Sequence, residues 1–213
     1  MPRNIEGLNA ARDRILEIRN QSQNRVLIGV VGKPGAGKST VTAELRKILP
    51  PNETRVLSQD GYHLSNTQLK ELGRSERKGA PDTFDPQSFT ELLKRVAQDL
   101  ENEIYFPIFH REIEESIAAE GVIAPETKIV LVEGNYLLLD SHGWQDVATY
   151  LNESWYLKID DELRLKRLVA RHIEFGKEPK FAHDWAHGTD EVNAKIIEST
   201  MSRADAILNL VTN

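Results

Sequence analysis

Ile5, Leu8, Ala11, Ile15 and Ile18 recur at helical spacing ahead of the polar stretch Asn20 to Asn24, which predicts an amphipathic helix within residues 1–24. Arg25 to Val31 then reads RVLIGVV, a run too continuous for a half-exposed strand and short enough for a buried parallel one. A glycine-rich turn leads into a helical stretch, Lys38 to Leu49, that Pro50-Pro51 ends. A short strand is expected at Arg55 to Ser58, and the polar segment Gly61 to Thr83 reads as a functional loop or a set of short helices. Asp85-Pro86 supplies an N-cap and an N1 proline, and Phe89, Leu92, Leu93, Val96 and Leu100 form one stripe behind them. Further strands are expected at 104–109, 128–133, 155–159 and 206–211, with helices at 144–151, 161–175 and 190–201. This alternation argues for an α/β fold, an open and mostly parallel sheet with helices on both faces.

Composition narrows the picture. The chain has 213 residues, enough to bury a core without staples but cramped for a second full-sized domain. It has no cysteine, which excludes disulfides, thiolate-bound metals and a thiol nucleophile, and a reducing compartment fits best. A net charge of −6 without long like-charge blocks argues against a nucleic-acid partner. Charges from Arg3 to Arg25 break any apolar core a secretory signal would need. The longest apolar runs, 26–31 and 136–139, fall far short of the ~20 residues that span a bilayer. The expectation is a cytoplasmic protein with no membrane partner.

The chemistry is concentrated in a few segments. Gly32-Lys33-Pro34-Gly35-Ala36-Gly37-Lys38-Ser39 fits G-x-x-x-x-G-K-[ST] between a strand and a helix. The glycines let successive N–H groups curl around phosphate oxygens, and the helix N-terminus adds partial positive charge. Pro34 cannot donate, so its neighbours, from Gly32 to Thr40, must form the cradle. Lys38 would reach the β- and γ-phosphates, and the Ser39 hydroxyl would ligate Mg²⁺. Glu133 ends an apolar strand where sheet ligands sit, positioned to orient Mg²⁺ through water or to hold a substrate hydroxyl. Asp60, at the end of another strand and followed by Gly61, would accept the proton of an attacking hydroxyl; the plainer alternative is an Asp-Gly turn. Arg164, Arg167 and Arg171 share one helical face and would clamp a triphosphate, or else form a solvated stripe. His183 and His187 have zinc-helix spacing, but Asp184 stands in place of the general-base Glu and no third ligand is apparent, so no metal site is assigned to them. Tyr62, Phe84, Tyr105, Phe106 and Phe109 either wall a pocket or fill core.

Taken together, GKPGAGKS at 32–39, QDGYHLS at 59–65, RKGAPDTFD at 77–85, FPIFHRE at 106–112, LVEGNYLLL at 131–139 and DELRLKRLVARH at 161–172 resemble the phosphoribulokinase/uridine kinase family of P-loop kinases. Within it, the likeness is greatest to a bacterial branch named for fructose transport or likened to pantothenate kinases. The resemblance implies a P-loop NTPase three-layer sandwich over residues 25–213 with a helical lid at about 161–190. It also implies a kinase using ATP and Mg²⁺ on a small-molecule hydroxyl, a sugar, polyol, nucleoside or pantothenate-like acceptor; a homodimer is compatible with it. Asp60 would be the base, Lys38, Arg167 and Arg171 the charge-neutralising groups, and Arg164 a further phosphate contact. The acceptor side would draw on Asp60, Tyr62, His63, Arg77, Phe84, Phe109, His110, Arg111, Glu133 and Tyr136. His110 stands where the family's segment carries Asp, which leaves the acceptor open. Two rivals remain: a P-loop switch that hydrolyses nucleotide for a protein partner, and a nucleoside monophosphate kinase whose acceptor phosphate Arg74, Arg77 and Lys78 would hold.

Overall fold

The computed structural model describes residues 2–210. The strands are β1 (Arg3–Glu6), β2 (Val26–Val31), β3 (Thr54–Ser58), β4 (Ile104–His110), β5 (Glu115–Ile123), β6 (Ile129–Gly134), β7 (Glu153–Lys158) and β8 (Ala206–Asn209). The helices are α1 (Gly7–Gln21), α2 (Lys38–Ile48), α3 (Asn66–Glu71), α4 (Pro86–Gln98), α5 (Asp161–Glu174), α6 (Pro179–His187) and α7 (Thr189–Glu198). Six strands form one parallel sheet in the order β1-β8-β7-β2-β6-β3.

The continuous apolar runs β2 and β6 pair with each other near the middle of the sheet, where both faces are covered, so every residue in each is buried. Successive side chains alternate between two cores. Val26, Ile28, Ile129, Leu131, Trp155 and Leu157 meet α1 and α2 through Ile15, Val41 and Leu45. Leu27, Val31, Val130, Val132 and Tyr156 meet α4, Trp144 and Ile197 of α7 on the other face. Asp85 caps α4 by accepting from the Ser88 amide at 3.0 Å, and Phe89, Leu92, Leu93 and Val96 bury its apolar stripe. The far end of α4 is tied by the buried Arg25, whose guanidinium donates to the carbonyls of Val96 (2.7 Å), Asp99 (3.1 Å), Ala124 (3.2 Å) and Thr127 (3.0 Å).

Several expectations are corrected. Ile5 lies in β1, an edge strand paired with β8, and the first helix starts only at Gly7. The strand at 104–109 is present as β4 but outside the main sheet, in an antiparallel hairpin with β5, whose mixed composition concealed it. Buried Ile104 and Phe106 alternate with exposed Tyr105 there, the pattern of a strand covered on one face. The expected helix at 144–151 is a 3₁₀ turn over Val147–Tyr150, because its amides close on carbonyls three residues back, as Val147 does on Trp144 at 3.1 Å. The segment expected to form a lid, about 161–190, contains a further helix, α6, before α7. The last strand ends at Asn209, and Val211 lies outside the described residues. Among the described residues no helix is long and apolar enough to cross a membrane.

Candidate active site

The Gly32–Ser39 loop leaves the buried end of β2 and runs into α2. Gly35 and Gly37 adopt φ of 81° and 92°, the left-handed conformation that glycine tolerates without steric cost. A Cβ on Gly35 would also come within 2.8 Å of the Arg164 carbonyl oxygen and 3.0 Å of the Leu168 Cβ, so α5 rests directly on the loop. Lys38 opens α2 and its Nζ donates to the carbonyls of Gly32 (2.8 Å) and Lys33 (3.3 Å) and to Asn135 Oδ1 (2.6 Å). Burial pushes this ammonium down to about 8, against the attraction of Asp60 and Glu133.

Ser39 Oγ donates to Glu133 Oε1 at 2.9 Å, and Thr42 Oγ1 to Glu133 Oε2 at 2.9 Å. Burial and the nearby Asp60 raise the Glu133 carboxyl above its usual range, although both hydroxyls oppose the shift. With its proton committed to Glu133, the Ser39 oxygen keeps its lone pairs free. A hydroxyl oxygen beside a carboxylate is the hard-oxygen donor set that suits Mg²⁺. No group of three or more His, Asp and Glu side chains converges among the described residues, so a cation here would share its coordination with phosphate and water. The loop residues thus fit Mg²⁺-nucleotide binding.

Asp60 sits on the 3₁₀ turn after β3, where its amide donates to Ser58 Oγ at 3.2 Å. The hairpin packs onto this turn so closely that a Cβ on Gly61 would meet the Pro107 carbonyl oxygen at 2.2 Å, which makes glycine obligatory. Arg111, at the hairpin tip, donates to Asp60 Oδ2 at 2.8 Å. Burial would raise the Asp60 carboxyl, but Arg111, His63, Lys38 and Arg171 together hold it below the usual carboxylate range.

One cleft of about 790 Å³ gathers much of this chemistry. Of the residues expected in the site, Gly35, Gly37, Lys38, Ser39, Thr40, Asp60, His63, Phe84, Phe109, Arg111, Glu133, Arg167 and Arg171 line it. Others lie elsewhere. Arg164 is fully enclosed, donating to Asp161 (2.8 Å), Glu191 (2.6 Å) and the Pro34 carbonyl (3.3 Å), so the expected row of three guanidinium groups facing phosphate reduces to Arg167 and Arg171. Gly32, Lys33 and Ala36 form the back of the loop, with Lys33 Nζ paired to Asp161 at 2.7 Å. Tyr62 packs on Phe89 in the core, and Tyr136 is buried with its hydroxyl donating to the Gly79 carbonyl. Arg77 pairs with Asp82 beside the cleft rather than in it, and His110 turns to Glu120, 2.6 Å away across the hairpin.

Sequence reasoning gave no role to Asn135, which holds Lys38; Lys78, named there only under the monophosphate-kinase rival, donates by its Nζ to Asn66 Oδ1 at 2.7 Å inside the cleft. It also missed Lys177 and Trp185, stacked as a cation over a ring at 5.4 Å, and Asp190, paired with His172 at 2.7 Å. Asn135 lies within the segment LVEGNYLLL that the sequence singled out, which is the signal that pointed to it.

Comparison with known proteins finds relatives in both sequence and fold. A profile described as the Phosphoribulokinase / Uridine kinase family matches residues 27–213. A Schizosaccharomyces pombe protein named as a candidate uridine kinase is 30% identical over 198 residues, covering 87% of this chain and 83% of its own. A pantothenate kinase of Lactococcus lactis subsp. lactis is 28% identical over 216 residues, covering 88% of this chain and 69% of its own. Among solved structures, a candidate fructose transport system kinase from Silicibacter sp. TM1040 superposes with a TM-score of 0.85 at 33% identity, covering 95% of this chain and 98% of its own.

Proposed function

The chain belongs to the phosphoribulokinase/uridine kinase family of P-loop kinases, and we propose that it transfers the γ-phosphoryl group of ATP, with Mg²⁺, to a hydroxyl of a small molecule. The observation that carries this reading is that Lys38 and Asp60, from separate loops, line the same cleft as Arg167 and Arg171. A P-loop switch needs no carboxylate base facing its phosphate site, whereas an alcohol kinase does.

The residues divide the work as follows. Lys38 exchanges its carbonyl partners for phosphate oxygens, and Arg167 and Arg171, which have no ion-pair partner among the described residues, add positive charge where it develops on the transferring group. Ser39 and Glu133 would hold Mg²⁺, which when bound neutralises charge on the β- and γ-phosphates. Arg111 occupies Asp60 Oδ2 and leaves Oδ1 to orient the acceptor hydroxyl and receive its proton. An ionised, low-affinity base is adequate here because the nucleophile keeps its proton until late in a loose transition state.

Asp60→Asn keeps the size of the side chain and loses its proton affinity. ATP should bind nearly as before while acceptor-dependent ADP release, screened over sugars, polyols, nucleosides and pantothenate, falls by roughly 10² to 10⁴. Lys38→Ala should abolish transfer in a protein that still folds. Unchanged turnover in a folded Asp60→Asn variant would leave Asp60 as a structural turn and remove the kinase reading's main support.

A further inference from the structure

Arg111 reaches Asp60 from the tip of the β4/β5 hairpin, so the position of that tip decides whether the contact forms. The hairpin is a two-stranded sheet separate from the main one, and a lone pair of strands has little stability of its own. Its base is anchored by buried Ile104, Phe106 and Ile123, but no residue from Pro107 to Glu120 is buried. The outer half has no apolar anchor, and polar contacts must fix it.

Residues 111–114 form the turn between the two strands, and both ends of that turn are tied. At one end Arg111 donates to Asp60. At the other, Glu114 holds a φ of 54°, a left-handed conformation that persists in a non-glycine residue only where its surroundings enforce it. Those surroundings are Asn66 and Lys78. Asn66 Nδ2 and Lys78 Nζ both donate to the Glu114 carbonyl, at 3.1 and 2.5 Å. Lys78 Nζ also donates to Asn66 Oδ1 at 2.7 Å and stands 3.4 Å from Glu114 Oε2, while the Asn66 amide donates to Glu115 Oε1 at 2.9 Å. An ammonium has three hydrogens, and three oxygens face this one. Both residues are themselves anchored: Asn66 opens α3 behind the Ser65 cap, and Gly79, next to Lys78, accepts from the Tyr136 hydroxyl and donates to Thr83 Oγ1 at 3.0 Å.

On the kinase reading above, on which its catalytic part rests, we propose that Asn66 and Lys78 are positioning residues that tether the hairpin tip through the Glu114 carbonyl and so keep Arg111 on Asp60 Oδ2, with Oδ1 turned to the acceptor. Lys78 then serves the reaction through Arg111, and its hydrogens are not available to a phosphate or carboxylate of the acceptor. Releasing the tip lets Arg111 leave Asp60 and lets the carboxylate turn, and a group misplaced by about 1 Å can cost about 10²-fold in rate.

The test uses the whole chain as Lys78→Met, Asn66→Ala, Arg111→Met and the double variant Lys78→Met/Arg111→Met. Hydrogen exchange read by mass spectrometry should be about tenfold faster over residues 107–120 in Lys78→Met and Asn66→Ala, the worth of one charge-assisted hydrogen bond, with β2 and β6 unaltered. Acceptor-dependent ADP release with MgATP, over the sugars, polyols, nucleosides and pantothenate named above, should show kcat lowered by about 10- to 100-fold in both variants and an unchanged KM for ATP. Lys78→Arg, which keeps a cation with several donors, should recover part of the loss. In the Arg111→Met background Lys78→Met should lower kcat no further, whereas a merely structural role would act equally in both backgrounds. Unchanged exchange over 107–120, an undiminished Lys78→Met effect without Arg111, or a loss seen with anionic pantothenate and absent with neutral sugars would each overturn the tether while leaving the kinase reading intact. ADP release with none of the acceptors would overturn the kinase reading and the catalytic use of Arg111 with it, and exchange over 107–120 would still decide the tether.

Discussion

Lys38 is in a demanding position for a phosphate-binding group. Its ammonium is enclosed by the loop it serves, with two carbonyls and Asn135 as partners, and burial lowers its proton affinity to about 8. Phosphate oxygens bind the ammonium form and stabilise it. Below pH 8 the free protein already carries this proton; above pH 8 the free protein has lost it and must take one up to bind nucleotide. ATP affinity should therefore hold steady from pH 6.5 to 7.5 and fall by about tenfold per unit above pH 8. Calorimetry in buffers of different ionisation enthalpy should record proton uptake that grows toward one per ATP over the same range. Lys38→Met should bind more weakly and show no such uptake, and uptake that persisted in that variant would assign the proton to another group.

At the level of elements, the informative contact is the one α5 makes with the phosphate loop. Arg164 spends its guanidinium on Asp161 of its own first turn, on Glu191 of α7 and on the Pro34 carbonyl, a bond pattern that ties α5, the phosphate loop and α7 together. Arg164→Met should cost about 3 kcal/mol in denaturant unfolding, toward the lower end for a broken buried ion pair because Asp161 and Glu191 reach solvent. A phosphate-contacting arginine would behave otherwise, with weakened ATP binding and unchanged stability. Measuring both quantities on the one variant separates the two roles. The neighbouring positions Arg167 and Arg171 point the other way: their loss should spare stability and reduce turnover, since each lines the cleft without an ion-pair partner among the described residues.

Across the whole molecule, the cleft is walled by three parts: the carboxyl ends of β2, β3 and β6 with the loops that follow them, the β4/β5 hairpin carrying Arg111, and the α5/α6 region carrying Arg167, Arg171, Lys177 and Trp185. Transfer to an alcohol needs water excluded while ATP is bound and an opening for exchange. Residues 161–190 should therefore gain hydrogen-exchange protection on addition of a non-hydrolysable ATP analogue with Mg²⁺, while β2 and β6 change little. Equal protection with and without the analogue would mean that this region is a fixed wall. Trp185 fluorescence gives an independent readout, because closure would change the surroundings of a ring that lines the cleft beside Lys177.

Features whose cause lies within a short stretch of chain could be read from the residues. The runs at β2 and β6 announce strands buried on both faces, Asp85-Pro86 starts α4, and the phosphate loop is legible because its glycine conformations and its placement before a helix are local properties. Asp60 was legible for the same reason, as a carboxylate at a strand end before an obligatory glycine. What periodicity could not supply was partnership between distant segments. Ile5 satisfies a helical stripe, yet the open edge of β8 offers its backbone a ladder, and the residue becomes strand. Arg164 continues the stripe of Arg167 and Arg171, yet Asp161, Glu191 and Pro34 claim it. Arg77 and Lys78 adjoin in the chain, yet Asp82 takes the first and the cleft receives the second. Charge and spacing determine which residues are able to serve a phosphate site; ion pairs and hydrogen bonds closed by the tertiary structure decide which of them remain free to do so.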